Sequence, residues 1–146
     1  MRYIGLDLGT RTVGVAYSDL SGTIALADQT YRFNEKEKAK MLESALEYVK
    51  IVVDEKKAEK IVLGLPKNMD GTLGFQSQFV LEFKNLLENE LKKEVILYDE
   101  RLSSVEVGKI MSSANINTRK QKKRVDTLSA VLILQSYLDS RKNKGE

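Results

Sequence analysis

Asp7, Glu100 and Asp126 are the residues best placed to do chemistry. Asp7 interrupts a run in which Ile4, Leu6 and Leu8 alternate with Tyr3, Gly5 and Asp7, the two-residue period of a strand. Aspartate is depleted in strands, and an unpaired buried carboxylate is expensive. With Gly5, Gly9 and Gly14 leaving space around it, this acid points to a metal ion or a phosphate. A strand-end aspartate accepting turn hydrogen bonds is the plainer alternative. Asp99-Glu100 closes a later apolar run, and Asp126 stands near the start of the last helical stretch, at the edge of its apolar band. An open α/β sheet gathers such strand ends together. Carboxylates gathered there suit Mg²⁺ or Mn²⁺, which prefer oxygen ligands. Two such ions roughly 3.5–4 Å apart activate a water and stabilise the leaving oxygen in phosphodiester cleavage. The alternatives are a salt bridge from Glu100 to Arg101 or another basic residue, and for Asp126 an exposed acid near a helix N-terminus.

Composition narrows the chemistry further. The 146 residues include no histidine and no cysteine. That excludes the Ser-His-Asp triad, His/Cys zinc sites, disulfides and thiolate nucleophiles. Carboxylates, lysines, hydroxyls or a hard metal remain. The chain is 42% apolar and 31% charged, a globular composition of single-domain length. No apolar run approaches the ~18 residues that span a membrane. Strand pattern begins directly after Met1-Arg2 with no signal-peptide pattern, so a cytoplasmic protein is expected.

Charge is unevenly spread. Residues 1–100 carry a net −3 and residues 101–146 a net +6. Five of the six residues from Arg119 to Arg124 are basic, directly before Asp126. Such a run usually solvates a helix end. Beside carboxylates it can hold a phosphate backbone, and lysines there oppose the helix dipole, as if kept for a partner. Ser103, Ser104, Asn115, Asn117 and Thr118 could add hydrogen bonds to phosphate or sugar. No aromatic pattern for base stacking on a sheet is present.

The elements that must position these residues follow from periodicity. Gly9-Thr10-Arg11 turns the first strand into a second carrying Val13, Val15 and Tyr17, an antiparallel hairpin. Thr23–Phe33 reads as a third strand. Ala39, Leu42, Leu46, Val49 and Val53 mark a helix with Asn34 as its N-cap. Lys60–Pro66 reads as a buried strand in parallel placement, and the loop Lys67–Thr72 follows. Phe79, Phe83, Leu86 and Leu87 mark a second helix, and Glu94–Tyr98 a last strand. Ser103-Ser104 could cap a helix through Val107 and Ile110, with Glu106 at the capping-box offset. Met111–Thr118 reads as a loop. Arg119–Tyr137 reads as a final helix with Val125, Leu128, Leu132 and Gln135 along one side. The expected order is β-β-β-α-β-α-β-α-α, one domain over residues 1–140 with a frayed tail at 141–146.

Four stretches resemble the YqgF (RuvX) family of RNase H-like proteins. They are IGLDLGTRTVGVAYSD, GLPKNMDG, DERLSS and KKRVDTLSAVLILQ, in order from end to end, with Ser129 where alanine is common. The resemblance implies an α/β RNase H-like fold: a mixed five-stranded sheet, its first three strands antiparallel, flanked by helices. It also implies a Mg²⁺-dependent endonuclease with Asp7, Glu100 and Asp126 at the family's acidic positions. Strand alternation points Asp99 and Glu100 to opposite faces, so one of the two should bind. Arg101, Lys122, Lys123 and Arg124 would contact the substrate backbone. The implied substrate is nucleic acid, with the 5′ end of pre-16S ribosomal RNA favoured and a four-way DNA junction as the alternative. A junction resolvase needs two active sites, so monomer and homodimer both stay open.

Two other functions compete. Asp7-Leu8-Gly9-Thr10 also resembles the first phosphate motif of the actin and sugar-kinase superfamily, but this length holds one such domain where those proteins use two. A non-catalytic assembly factor would use the basic C-terminal part alone and would tolerate Asp7→Asn. The nuclease reading expects Asp7, Glu100 and Asp126 within a few ångströms of one another.

Overall fold

Alternating apolar residues give each of the first strands one face that must be buried. The computed structural model describes residues 1–102 and 118–143, except the side chains of residues 118–126 and 143. β1 (Tyr3–Leu8) and β2 (Thr12–Ser18) form the expected hairpin, with Leu6 opposite Val15 and Asp7 opposite Gly14. The Gly9 N–H donates to the Thr12 carbonyl at 2.7 Å and closes the turn. β3 (Ala25–Arg32) extends the antiparallel meander. β4 (Lys60–Leu65) and β5 (Glu94–Asp99) add in parallel on the other side of β1. The sheet order is β3-β2-β1-β4-β5, the mixed five-stranded sheet expected.

The two faces are packed differently. α1 (Lys38–Lys56) and α2 (Phe75–Leu91) cover one, over Ile4, Leu6, Val13, Val15, Ile61 and Leu63. α3 (Thr118–Asn143) covers the other, where Ala130, Ile133, Leu134 and Leu138 meet Tyr3, Ala16 and Val62. This second face is paved with small residues, so α3 sits very close to β1. A Cβ at Gly5 would lie 2.7 Å from the Leu134 Cβ. Among the described residues no helix is long and apolar enough to cross a membrane.

Several expected details are corrected. Asn34 does not cap α1; Glu37 holds the N-cap position with no side-chain cap bond. Phe33 is buried and its N–H donates to the Arg11 carbonyl, so the chain runs on before it turns onto the sheet. Ala39 is consequently exposed in the first turn of α1. The buried face of α3 contains Ala130, Ile133, Leu134 and Leu138, and Leu128, Leu132 and Gln135 do not define it; the expected Val125 side chain lies outside those described. The run from Ala130 to Leu134 is apolar at every position, so periodicity there selects no face. Gln135 instead fastens the helix to the β2–β3 connection, accepting from the Ala25 N–H (2.8 Å) and donating to the Thr23 carbonyl (3.0 Å). Residues 141–143, expected in a frayed tail, continue α3, and the Arg141 guanidinium lies 5.0 Å from the Tyr3 ring centre. The helix expected after Ser103 and residues 111–117 of the expected loop Met111–Thr118 lie outside the described residues, and Thr118 opens α3 instead of closing that loop.

Candidate active site

β1 carries Asp7 toward the α3 face, next to the two small residues that make room for it. Gly14 is its partner on β2, and Gly64 follows Leu63, the partner of Leu6 on β4. β5 ends at Asp99, and the chain then tightens into a single 3₁₀ turn, Glu100–Leu102. That turn lays the Glu100 side chain across Gly64. A Cβ on Gly64 would stand 2.5 Å from Glu100 Oε1 and 2.6 Å from Ile133 Cδ1, so any larger residue would displace Glu100 or α3.

Glu100 and Asp7 meet there as a hydrogen-bonded pair. Burial raises the Asp7 pKa, opposed by the hydrogen bond from Glu100. Burial, then the hydrogen bond to Asp7 and the charges of Asp7 and Asp99, push Glu100 up to about 9. Both carboxyls thus favour the protonated form, and Glu100 keeps a proton at neutral pH.

Asp99 faces elsewhere. Its carboxylate takes the Arg101 guanidinium in a fork, from Nε at 3.0 Å and Nη2 at 2.8 Å on Oδ2, with Lys67 Nζ at 3.9 Å. Arg101 holds the Asp99 pKa below the usual carboxylate range, against the opposing effect of burial. Between the two neighbouring acids, Glu100 is thus the one beside Asp7. Arg101 also donates to the Met69 carbonyl at 3.4 Å, tying the end of β5 to the loop after β4. That loop is built by its own bonds: the Gly71 N–H donates to the Asn68 carbonyl, and Asp70 accepts from the Thr72 N–H and hydroxyl.

The side chains of Asp126, Lys122, Lys123 and Arg124 lie outside those described, but the helix backbone gives the level of residue 126. Along α3, Tyr137 lies over Tyr3 with ring centres 6.0 Å apart, and Leu134 with Ala130 lies over Gly5. Two strand residues advance about 6.6 Å and four helical residues about 6 Å. The next step brings residue 126 of the helix to the level of Asp7. A fixed point agrees: the Thr127 and Thr30 hydroxyls lie 2.6 Å apart, and Thr30 pairs with Gly14, which pairs with Asp7.

Oxygen is the donor type that this pocket offers. Among the described residues no group of three acids is assembled. Two adjacent, half-buried carboxyls, both pushed toward their protonated forms, fit a hard divalent cation, whose charge would let both ionise. Sequence reasoning did not assign Gly64, the Asp99–Arg101 fork or the Thr30–Thr127 contact. A glycine inside the apolar run Lys60–Pro66 was a signal of close approach. The threonine contact joins residues 97 apart and left no local mark.

A family model described as RuvX: Holliday junction resolvase matches residues 1–140. The chain belongs to the RuvX family. A relative from Clostridium tetani, named "Putative pre-16S rRNA nuclease", is 46% identical over 99% of this chain and 100% of its own length. One of the same name from Thermoanaerobacter pseudethanolicus is also 46% identical, with the same coverage. RuvC of Thermus thermophilus superposes with a TM-score of 0.61 at 12% identity, covering 98% of this chain and 97% of its own. That likeness shows the fold, which is RNase H-like. For this RuvX-family chain the acid pair therefore stands at the carboxyl ends of β1 and β5, across Gly64 of β4, in an RNase H-like sheet.

Proposed function

We propose that this chain is a divalent-metal-dependent endonuclease that hydrolyses phosphodiester bonds, with the 5′ region of pre-16S ribosomal RNA as its substrate. The observation that carries the reading is the half-buried Asp7–Glu100 pair, its Glu100 side chain laid across Gly64 with no room for a larger residue there. A carboxylate pair used only as structure would gain from a basic partner; this one is placed to gain from a cation. The names of the full-length relatives supply the RNA substrate.

Asp7, Glu100 and Asp126 would hold Mg²⁺ or Mn²⁺. The bound metal supplies Lewis-acid charge, which lowers the pKa of water and neutralises the leaving oxygen. Glu100 would lose its proton when a metal binds, so that both carboxylates could act as ligands. Gly64 keeps the space above β4 open for Glu100. Asp99 fixes the Arg101 guanidinium at the rim, where it and Lys122, Lys123 and Arg124 hold substrate phosphates. α3 covers one side of the site and limits its exposure to water.

The test is cleavage by wild type and Asp7→Asn, with Mg²⁺ and Mn²⁺, of a 5′-extended 16S precursor fragment and of a four-way DNA junction. Metal-dependent cutting of the RNA, lost in the variant, is expected. The family description favours the junction as the second reading, and cutting of the junction alone would establish it. Binding of both substrates with no cutting of either would replace the enzyme reading with a non-catalytic assembly factor.

A further inference from the structure

A second feature lies around the edge of the sheet from the acid pair. A cleft of about 400 Å³ opens between the β1–β2 turn, the start of α1 and the start of α2. That volume is within the roughly 300–1,000 Å³ of small-molecule sites. Phe75, the first residue of α2, leaves its ring 84% exposed at the mouth, and buried Phe79 stands behind it. An aromatic ring held out to water at a helix start contributes nothing to the core. Arg11, Lys36 and Lys38 surround the mouth, the Lys38 ammonium 5.9 Å from both ring centres. In the wall, Glu35 has one carboxylate oxygen, Oε2, that is buried with no hydrogen-bond partner among the described residues.

These features are complementary to one kind of group. Lys38 is already paired with Glu82 at 3.0 Å, so an exposed ring offers a stacking face, Arg11 and Lys36 offer phosphate contacts, and an unmet acceptor asks for an N–H donor. An unpaired nucleobase on a phosphate backbone supplies all three. The cleft lies at the same end of β1 as Asp7, on the opposite face of the sheet: Gln76 at its edge donates to the Leu8 carbonyl at 3.0 Å, and Leu8 follows Asp7.

We propose that this cleft is a base-selective subsite for an unpaired nucleotide flanking the cut. The inference rests on the nuclease reading above. The base stacks on Phe75, its phosphates lie against Arg11 and Lys36, and its amino edge donates to Glu35. Guanine is the base best suited, because its N1–H and N2–H₂ donors lie side by side. Uracil presents one N–H between two acceptors and fits worst.

The experiment uses the full chain carrying Asp7→Asn, so that binding is read without cleavage. Fluorescence anisotropy measures its affinity for oligouridine carrying one guanine, stepped through each position, and for the same series with an abasic site. At one position guanine should tighten binding and an abasic site weaken it, by roughly tenfold. Adding Phe75→Ala should abolish both effects. Adding Glu35→Gln should remove the guanine preference while leaving the abasic penalty. Phe75→Trp should retain binding, and its indole emission should be quenched by the stacked guanine. Equal affinity of the Phe75→Ala protein and its parent for every oligonucleotide would overturn the proposal. So would a uniform loss that ignores the abasic site. Cleavage of the same RNAs by the unmutated protein decides the nuclease reading separately. Cutting without any effect of Phe75 sinks the subsite alone, and base-selective binding without cutting sinks the nuclease alone.

Discussion

The hydroxyls of Thr127 on α3 and Thr30 on β3 share a hydrogen bond of 2.6 Å, in the cross-strand row that contains Gly14 and Asp7. The contact sets how far along the sheet the helix start lies, and hence the level of residue 126 against Asp7. Thr127→Val keeps the shape and removes the bond. Stability should fall by about 0.5–1.5 kcal/mol, and kcat by roughly tenfold with little change in substrate KM. Thr30→Val should do the same, and the double variant should be no worse than either. Cleavage kinetics and urea titrations of the four proteins measure this cycle; strictly additive losses would show that the two hydroxyls act separately.

The acid pair should be a liability to the fold in the absence of metal. Glu100 holds its proton up to about pH 9, whereas in the unfolded chain it gives the proton up near the ordinary value of 4.5. The native state thus binds more protons across that interval. Stability is full below about pH 4.5 and falls as pH rises toward 9. Asp7→Asn and Glu100→Gln should therefore abolish cleavage and yet melt higher than wild type at pH 8 in chelator. Each kcal/mol recovered is worth roughly 2–4 °C in a chain of this size. Mg²⁺ should raise the melting temperature of wild type and leave that of the variants nearly unchanged. Melts at pH 6, 7 and 8, with and without the ion, measure both effects.

The same equilibrium links metal to pH. Binding that expels the Glu100 proton should strengthen by about tenfold per pH unit between pH 6 and 8. Calorimetric titration of wild type with Mn²⁺ in buffers of different ionisation enthalpy counts the released proton. A pH-independent affinity would mean that the pair is not the binding site.

Gly64→Ala places a methyl 2.5 Å from Glu100 Oε1 and 2.6 Å from Ile133 Cδ1. Overpacking of this kind costs about 1–3 kcal/mol. Because the clash falls on the acid itself, activity should drop further than stability. Gly5→Ala meets Leu134 instead and should mainly destabilise. Comparing residual cleavage at equal folded fraction separates the two variants.

Asp99→Asn weakens the grip on Arg101 and leaves Glu100 in place. It should raise KM while keeping kcat within about tenfold of wild type, unlike Glu100→Gln. An equal loss in both variants would put Asp99 among the metal ligands.

Much of this arrangement was legible in the sequence, because β1 and β2 put large apolar residues on the face under α1 and α2 and mostly small residues on the face under α3, and so alternate. The parallel placement of β4 followed from the helix before it and the unbroken apolar run. Other features were not legible, for identifiable reasons. Alternation separates Asp99 from Glu100 but cannot say which turns inward; the 3₁₀ turn after β5 decides that. In α3, five consecutive apolar residues hide the face that packs on Gly5. Asn34 has the right chemistry for a cap, yet burial of Phe33 delays the helix to Lys38. The cleft at Phe75 depends on residues from three separate elements, and none of them is unusual alone.

The sheet order has a consequence for biosynthesis. β4 lies between β1 and β5, so Asp7, made among the first residues, finds Glu100 only after some ninety more have been joined. A nascent chain that stops before β5 carries one acid of the pair without the other, so the pair is assembled only once the last strand is in place.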